Sequence, residues 1–163
     1  MRSLGRWRLG CYLYNIMTLA PYILIGEDDP DDRFLLQGAF EDVPGACNLQ
    51  FVENGVELLD FLKTESTKNG NASYPEFILL DLNMPRKDGR EVLAEIKTTP
   101  HLERIPVIIF STTSNEREMK RCYELGANSY ITKPNSFEAL RETMQALHDY
   151  WIQVEKPHTV SEA

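Results

Sequence analysis

Four short groups of residues carry side chains that could do chemistry together: Glu27-Asp28-Asp29, Asp81 with Asn83-Met84-Pro85 behind it, Ser111-Thr112, and Lys133-Pro134. Carboxylates crowded into one place raise one another's pKa. A hard divalent cation relieves that repulsion. Mg²⁺ suits such a place, because it takes octahedral oxygen ligands at about 2.0–2.1 Å and keeps several waters. Two carboxylates, one carbonyl and open positions for water and phosphate would make its site. The groups lie far apart in sequence, so a fold has to gather them.

The elements that could do so are legible. Five apolar, β-prone runs occur at Tyr22–Ile25, Leu49–Val52, Phe77–Leu80, Val107–Phe110 and Ser129–Ile131. The third and fourth are continuous rather than alternating, as strands buried on both faces of a parallel sheet are. Helical stripes lie between and after them: Phe34, Leu35, Ala39 and Phe40; Val56, Leu59 and Leu62; Val92, Leu93 and Ile96; Met119, Cys122 and Tyr123; and Phe137, Leu140, Met144, Leu147 and Trp151. Asp88-Gly89 and Ser114 read as helix openings, and Gly126 as a helix end. Strand–helix alternation of this kind predicts an α/β fold with right-handed crossovers. The expected architecture is a flavodoxin-like, doubly wound, five-stranded parallel sheet in the order 2-1-3-4-5, with helices on both faces. Ligands of such sheets bind beyond the carboxyl ends of the strands. All but one of the strands end at the chemical groups above, and strands one and three are neighbours about 4.8 Å apart.

The 163 residues favour one domain, expected over 21–154, with a poorly ordered leader at 1–20 and a frayed tail at 155–163. The leader combines Arg2, Arg6 and Arg8 with an apolar run. That run, from Leu9 to Gly26, contains Tyr12, Tyr14, Asn15, Thr18 and Pro21 and no small-residue cleavage site, so neither a signal peptide nor a membrane anchor is expected. The polar stretch from Lys63 to Tyr74 reads as a mobile loop. No DNA-binding output module is expected after Trp151. The net charge of -8 argues against sequence-independent nucleic-acid binding. Cys11, Cys47 and Cys122 form no zinc or disulfide pattern and suit a reduced, cytoplasmic protein. His101, His148 and His158 have no partner at a telling spacing and are expected at the surface. Asp31 and Asp32 read as first-turn helix acids, with Asp32 facing solvent.

The strings Ile-Gly-Glu27-Asp28-Asp29, Leu-Leu-Asp81-Leu-Asn83-Met-Pro85, Phe-Ser111-Thr112 and Tyr130-Ile-Thr-Lys133-Pro134 resemble the receiver domain of two-component response regulators. The likeness runs from about Tyr22 to Trp151. The Glu-Asp-Asp-Pro-Asp-Asp-Arg start and the polar loop before strand three also resemble the stand-alone receivers that partner phytochrome kinases. The resemblance implies that Asp81 is nucleophile and phosphoacceptor, assisted by Lys133 and Ser111. Glu27, Asp28, Asp81 and the carbonyl of Asn83 would ligate Mg²⁺. Ser111 and Tyr130 would be the switch pair, with Tyr130 turning inward on phosphorylation. Lys133-Pro134 would carry a cis peptide. Thr113 stands where the family tunes dephosphorylation. The implied donor is a sensor histidine kinase, of phytochrome type on the narrower likeness.

Two further classes stand beside this reading. A Mg²⁺-dependent phosphatase or phosphotransferase with an Asp nucleophile usually carries a second acid two residues on, where this chain has Asn83. A pseudo-receiver scaffold is disfavoured by the intact acids, hydroxyl and lysine. The apolar seam of the last helix outruns the sheet, which predicts an exposed cluster at Leu147, Tyr150 and Trp151 and a two-fold homodimer through strand five and helix five.

Overall fold

A computed structural model describes residues 21–45, 48–67 and 73–154. The leader, the tail, Cys11, Cys47 and His158 lie outside the described residues. The elements are β1 (Tyr22–Gly26), α1 (Pro30–Glu41), β2 (Asn48–Val52), α2 (Gly55–Thr67), β3 (Phe77–Leu80), α3 (Gly89–Thr98), β4 (Val107–Ser111), α4 (Glu116–Glu124), β5 (Ser129–Thr132) and α5 (Phe137–His148), which continues as a π-helical segment, Asp149–Val154. The strands form one sheet in the order β2-β1-β3-β4-β5, and every neighbouring pair is parallel. The expected flavodoxin-like arrangement is therefore present.

The central strands β3 and β4 are buried at every position. Their side chains alternate between two cores. Ile78, Leu80, Val107 and Ile109 face Leu59, Val92, Leu93 and Ile96. Phe77, Leu79, Ile108 and Phe110 face Leu36, Ala39, Leu140 and Met144. Each continuous apolar run thus serves helices on both sides of the sheet.

Helix starts are set by local chemistry. The Asp29 carboxylate accepts from the N–H of Asp31 and of Asp32, with Pro30 opening the helix behind it. Asp88 and Glu91 form a capping box on α3. Asn115, not Ser114, caps α4, because its Oδ1 reaches the N–H of Arg117 and of Glu118. Helix α2 runs on to Thr67, through part of the stretch expected to be a loop. The hydroxyls of Thr64, Ser66 and Thr67 bond back to backbone carbonyls in the same helix, which makes these polar residues compatible with it.

The helical rotations differ in part from the stripes. Phe34 and Leu35 are exposed and Leu36 is buried. Val56 and Tyr123 are exposed as well. At the chain's far end the difference runs the other way. Leu147 and Trp151 are buried, sharing a core cluster with Phe40 and Val43 from the end of α1, and only Tyr150 of the expected patch is exposed. His148 is buried too, and the backbone at Gly45 approaches so closely that a Cβ there would sit 3.3 Å from its ring. The turn after α1 supplies cover that the sheet alone would lack. Cys122 is a buried free thiol. Among the described residues, no helix is long and apolar enough to cross a membrane.

Candidate functional site

The carboxyl ends of β1, β3, β4 and β5 converge on one rim, and backbone hydrogen bonds carry the strand register past the strand ends. Asp81 N–H donates to the Gly26 carbonyl at 2.9 Å, and Lys133 N–H donates to the Ser111 carbonyl at 2.8 Å. These bonds fix where Glu27, Asp81, Ser111 and Lys133 emerge. Gly89 lets α3 begin directly against this rim: a Cβ there would lie 2.3 Å from the Asp81 carbonyl oxygen. That neighbour is backbone, which cannot swing aside.

Glu27, Asp28 and Asp81 offer carboxylate oxygens that lie within 4.8 Å of one another, close enough for three acids to share one cation. Glu27 is 1% exposed, Asp81 is 7% exposed, and Asp28 is at the surface. Asn83 is exposed, and its N–H donates to Asp81 Oδ1 at 3.3 Å. Asp29 is diverted from this group to capping α1.

Lys133 closes the other side. Its Nζ donates to Glu27 Oε2 at 2.7 Å, to Asp32 Oδ2 at 2.7 Å and to Asp81 Oδ2 at 3.2 Å. Asp32 therefore points into the site, not to solvent. The first turn of α1 swings it across the rim, a placement that spacing along the chain could not reveal. The Lys133–Pro134 bond is trans, not cis: no cis peptide occurs among the described residues. The ammonium reaches all three acids from the trans chain, so nothing here opposes the ordinary trans preference of about 0.5–1 kcal/mol.

The charges are unbalanced. The Lys133 ammonium serves Glu27, Asp32 and Asp81, with Asp28 beside them, while the nearby Arg33 guanidinium donates to the Glu27 and Asp28 backbone carbonyls and pairs with Glu53. Burial pushes the Glu27 carboxyl up to about 7; Lys133 opposes this, and the neighbouring Asp81 charge adds to it. Burial disfavours the Lys133 ammonium, but its hydrogen bonds to Asp32 and Glu27 and the charges of Glu27 and Asp81 outweigh that and raise its pKa. Hard oxygen donors with surplus negative charge are what a Mg²⁺-sized cation requires.

Ser111 is fully buried, and its Oγ accepts from the Thr113 N–H at 3.3 Å. Tyr130 is 9% exposed and already lies inward, its hydroxyl donating to the Thr113 carbonyl at 2.9 Å. Burial raises the Tyr130 phenol's pKa, and the Ser111 hydroxyl partly offsets this. The ring thus stands in the inward position that the switch reading assigns to it. The ring belongs to the core cluster that also holds Ile109 of β4 and Cys122 of α4.

A five-stranded 2-1-3-4-5 sheet with three acids, a buried hydroxyl and a lysine at its carboxyl rim defines a receiver. The response regulator receiver domain matches residues 23–145, and the chain belongs to that family. Response regulator Rcp1 of Synechocystis sp. is 38% identical over 131 residues, covering 80% of this chain and 88% of that protein. The "Probable methanogenesis regulatory protein FilR2" of Methanothrix harundinacea is 35% identical over 130 residues, covering 80% of this chain and 83% of the other. Among solved structures, the phosphorylated cyanobacterial phytochrome response regulator RcpA superposes with a TM-score of 0.76 at 39% identity, covering 84% of this chain and 97% of that one. The Mn²⁺-bound form of Rcp1 superposes with a TM-score of 0.73 at 37% identity, covering 83% and 97%.

Proposed function

We propose that this chain is a Mg²⁺-dependent phosphoacceptor switch that receives a phosphoryl group from a sensor histidine kinase on Asp81. One observation carries the reading: a nearly buried Asp81 carboxylate stands between two further acids and the Lys133 ammonium. A carboxylate oxygen of Asp81 forms the new bond to phosphorus. The bond from phosphorus to the donor's histidine nitrogen breaks, and the nitrogen keeps the electron pair. A carboxylate approaching a dianion is repelled, and Lys133 offsets that repulsion while orienting the phosphoryl oxygens.

The residues present fit a divalent cation by their donor chemistry. Glu27, Asp28, Asp81 and the Asn83 carbonyl are the groups that would hold Mg²⁺, which when bound neutralises charge on the acids and the phosphoryl oxygens. The Mn²⁺-bound form of Rcp1 supports metal binding by a relative. Ser111 would donate its hydroxyl to a phosphoryl oxygen. Because the Tyr130 ring is already inward, phosphorylation is assigned the role of holding the Ser111–Thr113 loop against that ring. This is a local charge event biasing a two-state element.

A phytochrome-type kinase as donor is supported by the likeness to RcpA, a cyanobacterial phytochrome response regulator. A cytoplasmic setting belongs to the same proposal, and the free Cys122 thiol fits it. The chain acts only on its own Asp81: where an Asp-nucleophile phosphatase would carry a second acid stands the exposed Asn83. For assembly, the β5–α5 side keeps a groove of about 590 Å³ bordered by Ile131, Thr143, Leu147, Tyr150 and Trp151. Its exposed aromatic, Tyr150, supports the two-fold homodimer expected there.

Incubation with Mg²⁺ and acetyl phosphate should add one phosphoryl group, retained on the protein. Asp81→Asn should abolish the added mass and leave the fold intact. Equal labelling of the Asn variant, or turnover of the donor with nothing retained on the protein, would overturn the reading.

A further inference from the structure

We infer that Asp32 is a positioning residue that holds one donor of Lys133 in the unmodified chain and gives it up when Asp81 is phosphorylated, so that it restrains charging of the site. This rests on the switch reading above and adds a residue to it. A lysine ammonium has three N–H donors. In this structure the three go to Glu27, Asp32 and Asp81, and the bond to Asp81 is the longest. An arriving phosphoryl group brings new acceptor oxygens to the side of Lys133 where all donors are already engaged.

The three acceptors are not equally easy to displace. Glu27 is buried and also accepts from the Asp29 N–H at 3.1 Å, so it is held from two sides. Asp81 carries the incoming group. Asp32 stands on α1, not at a strand end, and its side chain is 35% exposed. It can turn to water at the lowest desolvation cost of the three. A phosphoryl dianion beside it adds like-charge repulsion, which drives the same movement. Asp32 thus acts as a resident anion whose place on Lys133 the phosphoryl oxygens take over. Nothing covalent changes at Asp32.

The neighbouring Asp31 provides an internal control. It carries the same charge in the same first turn of α1 and is exposed. Both Asp31→Asn and Asp32→Asn remove one negative charge and one favourable helix-dipole contact, but only the second loosens the hold on Lys133, since an amide oxygen accepts without the charge. Wild type, Asp31→Asn, Asp32→Asn and Asp32→Glu should be compared at saturating Mg²⁺, so that metal affinity does not enter. The readouts are the acetyl phosphate labelling rate, the affinity for beryllofluoride as phosphoryl mimic, and the ¹⁵N shift of the Lys133 ammonium. Asp32→Asn should label about 2–5-fold faster and bind the mimic tighter by a similar factor, the range of a partly exposed ion pair. It should also shift the Lys133 signal toward its value in the mimic-bound wild type. Asp32→Glu should return all three readouts toward wild type, and Asp31→Asn should leave them unchanged.

If Asp32→Asn labels no faster than Asp31→Asn while wild type labels normally, the inference fails and the switch stands. If wild type neither labels nor binds the mimic, the switch reading fails and takes this inference with it.

Discussion

The Tyr130 hydroxyl donates a 2.9 Å hydrogen bond to the Thr113 carbonyl, two residues beyond Ser111. The same Thr113 gives its N–H to Ser111 Oγ. The aromatic ring on β5 and the hydroxyl at the end of β4 are therefore joined through one residue, and a change at Ser111 reaches the β5 face without a chain of side chains between. Tyr130→Phe should keep the ring buried, lose this bond and cost about 1 kcal/mol in denaturant unfolding. An unchanged midpoint would show that the bond contributes nothing to holding the loop.

Glu27 makes stability depend on pH. Its carboxyl rises from the ordinary 4.5 to about 7 in the folded chain. A raised carboxyl favours the folded state below its unfolded value, and that contribution is lost as pH rises through the folded value. Without divalent cation, stability from this group should fall between about pH 4.5 and 7, and Glu27→Gln should remove that part of the slope. Mg²⁺ needs the ionised form, so its affinity should rise over the same interval, and saturating Mg²⁺ should restore stability above it. Thermal melts across this range, with and without Mg²⁺, check both signs.

Asp28 and Asp31 sit three residues apart on opposite sides of the cap at Asp29, and only Asp28 joins the acid cluster. In a Mg²⁺ titration Asp28→Ala should weaken binding by at least about tenfold, since even partners behind a metal's ligands matter that much. Asp31→Ala should stay close to wild type. Equal losses would mean that the ion sees only the summed charge of the turn.

Trp151 and Tyr150 separate folding from assembly. Trp151 is 8% exposed within the α1–α5 core, and Trp151→Ala should cost about 3–5 kcal/mol. Tyr150 is half exposed and meets Trp151 edge-on. Tyr150→Glu should leave the melting temperature nearly unchanged and shift sedimentation toward monomer. A wild type that is monomeric at high concentration, with and without beryllofluoride, would remove the dimer.

Sequence alone determined the sheet, its strand order and the rim on which the chemistry gathers. The buried strands β3 and β4 are continuous apolar runs because both faces are covered, and strand–helix alternation leaves few topologies. Glu27, Asp28, Asp81, Ser111 and Lys133 were legible for the same reason: each stands at or just after a strand end, and strand ends of a parallel sheet point one way. Tertiary structure decided what depends on how a helix is rotated and what lies across from it. Each residue turns the side-chain direction by about 100°, so small differences in packing put Leu36 inside and Phe34 outside, and aim Asp32 at Lys133. His148 and Trp151 are buried by the turn after α1, a segment remote in sequence. The trans Lys133–Pro134 bond and the inward Tyr130 are likewise matters of which atoms meet in space, and no local pattern along the chain encodes them.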